Sequence, residues 1–157
     1  MPLMRNKKRL GDLLVDANII TQQQLSEALG KQKQTGGKLG EILVNLGFTD
    51  EEEVANAMHT QLGIPIAHIR EAKIAQEVVQ LVPENIVRKY NVFPFEIDAN
   101  NANVLHVAMS DPMNIIAIDD IGIVTNLQIE PMVATPSDIN FGIERYYGSE
   151  RVSEMAG

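Results

Sequence analysis

The sequence predicts an α+β fold: an N-terminal helical subdomain built from a tandem helix-turn-helix repeat, followed by a small α/β subdomain with a mixed sheet. Two observations predict it. A stretch of chain occurs twice in the first sixty residues, and beyond Leu62 the helical spacing of apolar residues gives way to short strand-like runs separated by turn residues. The predicted boundaries are 1–62 for the helical subdomain, 63–148 for the α/β subdomain and 149–157 for a tail without apolar pattern.

The duplication aligns Arg9 to Gln32 (RLGDLLVDANIITQQQLSEALGKQ) with Lys38 to Gln61 (KLGEILVNLGFTDEEEVANAMHTQ) without a gap. Leu10/Leu39, Gly11/Gly40, Leu14/Leu43, Val15/Val44, Ala28/Ala57 and Gln32/Gln61 are identical, and a spacer with two glycines, Lys33 to Gly37, joins the copies. In the first copy Leu10, Leu13, Leu14 and Ala17 share helical spacing, and Asn18 then breaks it. Asn tolerates the left-handed conformation that ends a helix, and Gly47 holds the same place in the second copy. Thr21 with Gln24, and Asp50 with Glu53, form capping-box patterns that open a longer helix. Leu25, Ala28, Leu29 and Gln32 then lie on one helical face, as do Val54, Ala57, Met58 and Gln61.

Paired helices must bury their apolar stripes, which accounts for the leucines. The polar pattern asks for more. A cation, Arg9 or Lys38, opens each copy directly before Leu-Gly, and a glutamine closes each on the apolar face. Glycine inside a helix costs about 1 kcal/mol relative to alanine, so Gly11 and Gly40 point to a close approach of backbone to something.

In the second half, Ala75 to Leu81 has helical spacing and Pro83-Glu84-Asn85 leads into a helix through Lys89. Val92 to Ile97 and Val104 to Met109 read as strands joined by an Asp98-Ala99-Asn100-Asn101 turn. Asp111-Pro112 ends the second strand and starts a helix through about Ile123; Asn126 to Val133 is a third strand, and Pro136-Ser137-Asp138 opens a last helix ending near Tyr147-Gly148.

Composition narrows the chemistry. The formal net charge of −8 opposes binding to a long nucleic acid, whose affinity rests on many Lys and Arg contacts. With no cysteine there is neither a disulfide nor a thiolate site, as suits a reducing compartment. The basic segment Met1 to Arg9 has no apolar run behind it, and no run approaches the roughly 20 residues of a membrane span, so direct membrane insertion is not expected. His59, His68 and His106 lack metal-ligand spacing, and no metal or cofactor is expected. Gly36-Gly37-Lys38-Leu39 is the nearest approach to a Walker A loop and lacks its spacing and its hydroxyl, so catalysis by this stretch is not expected.

The doubled motif resembles the tandem motif of MshEN domains, RLGxxLxxxGxIxxxxLxxxLxxQ twice with a short spacer. The phrases QLGIPIAHI, LVPENIVRKYNVFPF, LHVAMSDP and IERYYG resemble the companion part of the N-terminal domain of type II secretion and type IV pilus assembly ATPases. The resemblance implies a cytoplasmic regulatory domain that binds cyclic di-GMP, one motif per half of the dinucleotide, and acts on an ATPase domain of the same or a partner chain. It implies that Arg9 and Gln32 serve one half with Leu10, Leu14, Leu25 and Leu29, and that Lys38 and Gln61 serve the other with Leu39, Leu43, Val54 and Met58. Gly11 and Gly40 would let the backbone approach, and Asp111 would accept from a guanine edge as an alternative to acting as an N-terminal helix acid. Lys38 departs from the family's arginine, Asn18 from its glycine, and Val54 and Met58 from its leucines. The alternative implication is a protein-docking adaptor that joins the ATPase to the cytoplasmic part of an inner-membrane assembly protein, which would place the chain at that membrane through partners alone.

Overall fold

The computed structural model describes residues 9–148; the predicted tail at 149–157 and most of the basic N-terminal segment lie outside them. The chain divides into two compact units, Met1–Gly63 and Ile64–Gly157. The fold is α+β, as the sequence predicts.

The first unit contains α1 (Leu10–Asp16), α2 (Gln22–Thr35), α3 (Leu39–Asn45) and α4 (Glu51–Leu62). The duplication is visible bond for bond where α1 and α3 end. Asn18 N–H donates to Val15 C=O and Ile19 N–H to Leu14 C=O; Gly47 N–H donates to Val44 C=O and Phe48 N–H to Leu43 C=O. Both turns need a left-handed residue, supplied by Asn18 at φ 62° and Gly47 at φ 81°. The capping boxes are less alike. Thr21 and Gln24 exchange both bonds, at 2.9 and 3.1 Å. Asp50 accepts from Glu53 N–H at 2.8 Å, but the Glu53 carboxylate takes the Thr49 hydroxyl instead of returning to the Asp50 N–H. The expected second box is therefore half formed, because Thr49 offers a competing donor. Leu13, Leu14, Ile20, Leu25, Ala28, Ile42, Leu43, Val54, Ala55, Ala57 and Met58 are buried, at the helical spacing the repeats announce.

In the second unit, α5 (Gln76–Val79) and α6 (Glu84–Tyr90) precede β1 (Val92–Ile97), β2 (Val104–Met109), α7 (Ile115–Thr125), β3 (Gln128–Val133) and α8 (Pro136–Tyr146). The sheet order is β1-β2-β3, with β1 antiparallel to β2 and β3 parallel to it after the α7 crossover, so the sheet is mixed. Ahead of α5, Pro65–Ala67 runs beside the end of β3, with bonds of 2.8 Å to and from Val133. Phe93, Leu105, Val107, Ile121, Ile139 and Ile143 form the centre of the core. Gly142 lets α8 lie close to β1: a Cβ there would stand 2.9 Å from Ile69 and 3.3 Å from Phe93.

Two helices differ from expectation. The run Ala75 to Leu81 shrinks to the single turn α5. Pro83 has no N–H to give to the Val79 carbonyl, so the helix cannot continue. The Tyr147 hydroxyl lies 2.8 Å from the Val79 carbonyl and 2.7 Å from that of Val82, donating its one proton between them. The helix expected from Asp111 begins only at Ile115, because Asn114 is its cap, accepting from Ala117 N–H at 3.1 Å.

Candidate ligand site in the helical repeat

Arg9 and Lys38 are the N-cap residues of α1 and α3, both with extended backbone and both exposed. The Leu-Gly steps behind them face each other. The Gly11 Cα lies against Leu39 and Leu25, such that a Cβ would stand 3.3 Å from a Leu39 methyl and 2.5 Å from one of Leu25. Gly40 faces Leu10, with 3.6 Å from a would-be Cβ to its methyl. Each motif's leucine thus covers the other motif's glycine, so the starts of α1 and α3, each opened by a cation-bearing cap, pack against one another.

The remaining predicted residues divide by burial. Leu14, Leu25, Leu43, Val54 and Met58 are enclosed and build the ground on which the motifs stand. Leu10, Leu39 and Gly40 are half-buried, and Leu29 is 40% exposed. Leu29 and Met58 occupy equivalent positions, yet Met58 is only 1% exposed. Arg9, Lys38, Gln61, Leu29 and the rims of Leu10 and Leu39 are therefore the surface this set can offer: two cations, an amide and aliphatic area.

The closing glutamines also differ. Gln32 Nε2 donates to the Gly37 carbonyl at 2.9 Å, pinning the spacer directly before Lys38. Gly36 and Gly37 carry φ of 72° and 96°, which other residues rarely adopt, so the glycine pair permits the turn that Gln32 closes. Sequence reasoning missed this latch; the glycine pair was its only signal. Gln61 is exposed, and its side-chain amide has no hydrogen bond among the described residues.

Asp111 belongs to the second unit, in the loop after β2. Its Oδ1 accepts from Met113 N–H at 3.1 Å, an Asx turn that shapes the loop after β2. His106 bonds Asp98 Oδ1 through Nε2 at 2.8 Å across the β1–β2 hairpin, and this bond holds the Asp98 carboxyl below its usual range. His59 and His68 are exposed. Among the described residues no group of three or more His, Cys, Asp or Glu is placed to hold a metal ion, and no helix is long and apolar enough to cross a membrane.

Known proteins share this architecture. The MshEN domain model matches residues 62–153, the stretch that follows the doubled motif. The type IV pilus assembly ATPase PilB of Myxococcus xanthus is 36% identical over 143 residues, covering 90% of this chain and 25% of that protein. PilB of Thermus thermophilus is 37% identical over 140 residues, covering 89% of this chain and 16% of its own length. The chain thus spans a quarter or less of these relatives. The structure of MshE with cdg superposes with a TM-score of 0.74 at 33% identity, covering 90% of this chain and 100% of that one. The N-terminal domain of XpsE has the same fold, with a TM-score of 0.73 at 23% identity over 88% of this chain and 93% of that one. The chain belongs to the MshEN domain family.

Proposed function

We propose that this chain is a non-catalytic regulatory module that binds cyclic di-GMP and controls a type II secretion or type IV pilus assembly ATPase. The observation that carries the reading is the reciprocal Leu-Gly contact: Leu39 against Gly11 and Leu10 against Gly40, with Arg9 and Lys38 at the two caps. A cyclic dinucleotide has two phosphates, two purines and two-fold symmetry, and a doubled motif with paired cations answers that symmetry. Likeness to MshE with cdg, over nearly the whole chain, supports the same ligand here.

In this reading Arg9 offers charge, a planar stacking face and bidentate bonds, whereas Lys38 offers charge alone. Leu10, Leu29 and Leu39 cover sugar and purine surface. Gln61 addresses a base edge with amide donors and an acceptor, and Gln32 does so with its Oε1 and the one Nε2 hydrogen not given to Gly37. Leu14, Leu25, Leu43, Val54 and Met58 contribute from beneath by fixing the helices that carry the contacts. Gly40, which has space above it, is where ligand approaches backbone; Gly11 serves packing. Asp111 uses Oδ1 for its own loop, and its Oδ2 is the oxygen we propose to accept from a guanine edge. The subdomains at 1–62 and 63–148 act as ligand-reading and relaying parts of a cytoplasmic protein. The ATPase engine lies elsewhere in a longer chain or in a partner, and ligand acts on it by favouring one arrangement over another.

Isothermal titration of the chain with cyclic di-GMP tests the reading. Saturable heat is expected, absent with GMP, and lost with Arg9→Ala at unchanged circular dichroism. No heat at high micromolar ligand would overturn it, and so would full binding by Arg9→Ala and Gln32→Ala together.

A further inference from the structure

Of the five large apolar side chains exposed among the described residues, four lie on α7: Ile115, Ile116, Ile123 and Val124, at 66, 67, 78 and 48% exposure. With successive residues about 100° apart, these four fall on one side of the helix together with Asp119 and Asp120. The opposite side, with Ala117 and Ile121, is fully buried on the sheet. The helix is therefore apolar on both faces, although one of them meets water. A helix apolar all round belongs between two partners, and only one is in place.

The charges on that outer face say what the second is. The Asp120 carboxylate is drawn down to accept from the Tyr90 hydroxyl, over whose ring the Lys89 ammonium lies at 5.1 Å. Asp119 is exposed and has no partner among the described residues, and α7 contains no basic residue. An uncompensated carboxylate thus sits in the middle of an aliphatic patch. A second copy is a poor occupant: two-fold packing about the helix midpoint would bring two Asp119 carboxylates together in an apolar contact. A bilayer is also a poor one, since an anionic surface repels a helix without cations on a chain of net charge −8.

We propose that the outer face of α7 docks a partner protein through an amphipathic helix whose apolar side chains cover Ile115, Ile116, Ile123 and Val124 and whose Lys or Arg pairs with Asp119. The row Ile115, Asp119, Ile123 is a ridge of the i, i+4 kind that seats in the groove of another helix. This surface lies within the second unit and does not depend on nucleotide binding by the first.

The probe is a synthetic amphipathic helix with leucines on one face flanked by lysines, paired with a twin carrying glutamates. Titrated into the isotope-labelled chain, the lysine peptide is expected to shift the amide signals of Ile115–Thr125, and the glutamate twin to leave them unmoved. Ile123→Glu, at a position too exposed to disturb folding, should weaken binding by about tenfold or more. Asp119→Lys should reverse the preference toward the glutamate twin. The proposal is overturned if neither peptide binds, if the shifts lie away from α7, or if both substitutions leave affinity unchanged. It is equally overturned if sedimentation shows a dimer abolished by Ile123→Glu, or if phosphatidylglycerol vesicles and not the peptide occupy the face.

Discussion

The two copies of the helical motif share a backbone but not a surface. Their turns coincide bond for bond, from the left-handed residue at Asn18 or Gly47 to the amide of Ile19 or Phe48 returning to Leu14 or Leu43. Above that scaffold the copies part. Gly11 is pressed against Leu25 and Leu39 while Gly40 has room for a methyl group. Leu29 is exposed while Met58 is buried. Gln32 is tied to the spacer, and an arginine opens the first copy where a lysine opens the second. A duplicated sequence inherits the hydrogen bonds that its short-range pattern dictates. Its long-range packing is set by neighbours, and these are not duplicated. Under the proposed function, two half-sites of unequal strength follow.

The largest expected consequence is in affinity. Arg9→Ala removes charge-assisted bonds and a stacking plane, so cyclic di-GMP binding should fall by about 100-fold, in line with roughly 3 kcal/mol for such bonds. Lys38→Ala removes a point charge and should cost about tenfold. Lys38→Arg should tighten binding toward a symmetric site. Titration calorimetry on the three variants decides the matter; equal losses for Arg9→Ala and Lys38→Ala would mean that the half-sites are equivalent.

The glycines give the next effect, in stability. Gly11→Ala places a Cβ 2.5 Å from one Leu25 methyl and 3.1 Å from the other, with Leu39 closing the remaining side. Leu25 is buried and has little room to retreat, so overpacking of about 1–3 kcal/mol outweighs the gain in helix propensity. Gly40→Ala meets only an ordinary contact with Leu10 and should be neutral or stabilising by up to about 1 kcal/mol. Chemical denaturation reads both. A Gly40→Ala chain that is stable yet binds ligand poorly would assign that glycine to the ligand and Gly11 to the fold.

The caps come third. Thr21→Ala and Asp50→Ala should each cost about 1 kcal/mol, because each side chain accepts a bond from the third residue of its helix. Their partners separate the copies. Gln24→Ala strips the acceptor from the Thr21 N–H and should cost about 0.5 kcal/mol more than Glu53→Ala, whose carboxylate serves the Thr49 hydroxyl instead. Equal costs would imply that the second box closes in solution.

What was legible in the sequence follows the same division. The turns of the repeat, the first capping box and the final helix are set by residues within four or five positions of one another, and they are readable; each strand is readable from its own run, although β3 pairs with β2 across the whole α7 crossover. The shortening of α5 also has a local cause in Pro83, but the Tyr147 hydroxyl that joins the Val82 N–H at the Val79 carbonyl comes from 68 residues away and leaves no local trace. The candidate site is proposed from a set of polar positions in the sequence. Which glycine is packed, which leucine is exposed and which glutamine is latched depend on contacts between helices, and equivalent letters gave no hint that Leu29 and Met58, or Gln32 and Gln61, would differ. The exposed face of α7 went unnoticed because IIAIDDIGIVT reads as a buried helix throughout.

The smallest effect tests the shared scaffold itself. Asn18 and Gly47 close equivalent turns with left-handed φ of 62° and 81°. Exchanging them, Asn18→Gly and Gly47→Asn, should change stability by no more than about 0.5 kcal/mol each, because Asn adopts this conformation at little cost and glycine's advantage there is offset by its freedom in the unfolded chain. Gly47→Ala should cost about 1 kcal/mol, since alanine meets the steric penalty without the side-chain polarity that eases it for Asn. Denaturation midpoints for the three variants measure this. A large loss for Gly47→Asn alone would mean that the second turn needs glycine for a reason beyond φ, and the equivalence of the two backbones would fail at the point where it is drawn most tightly.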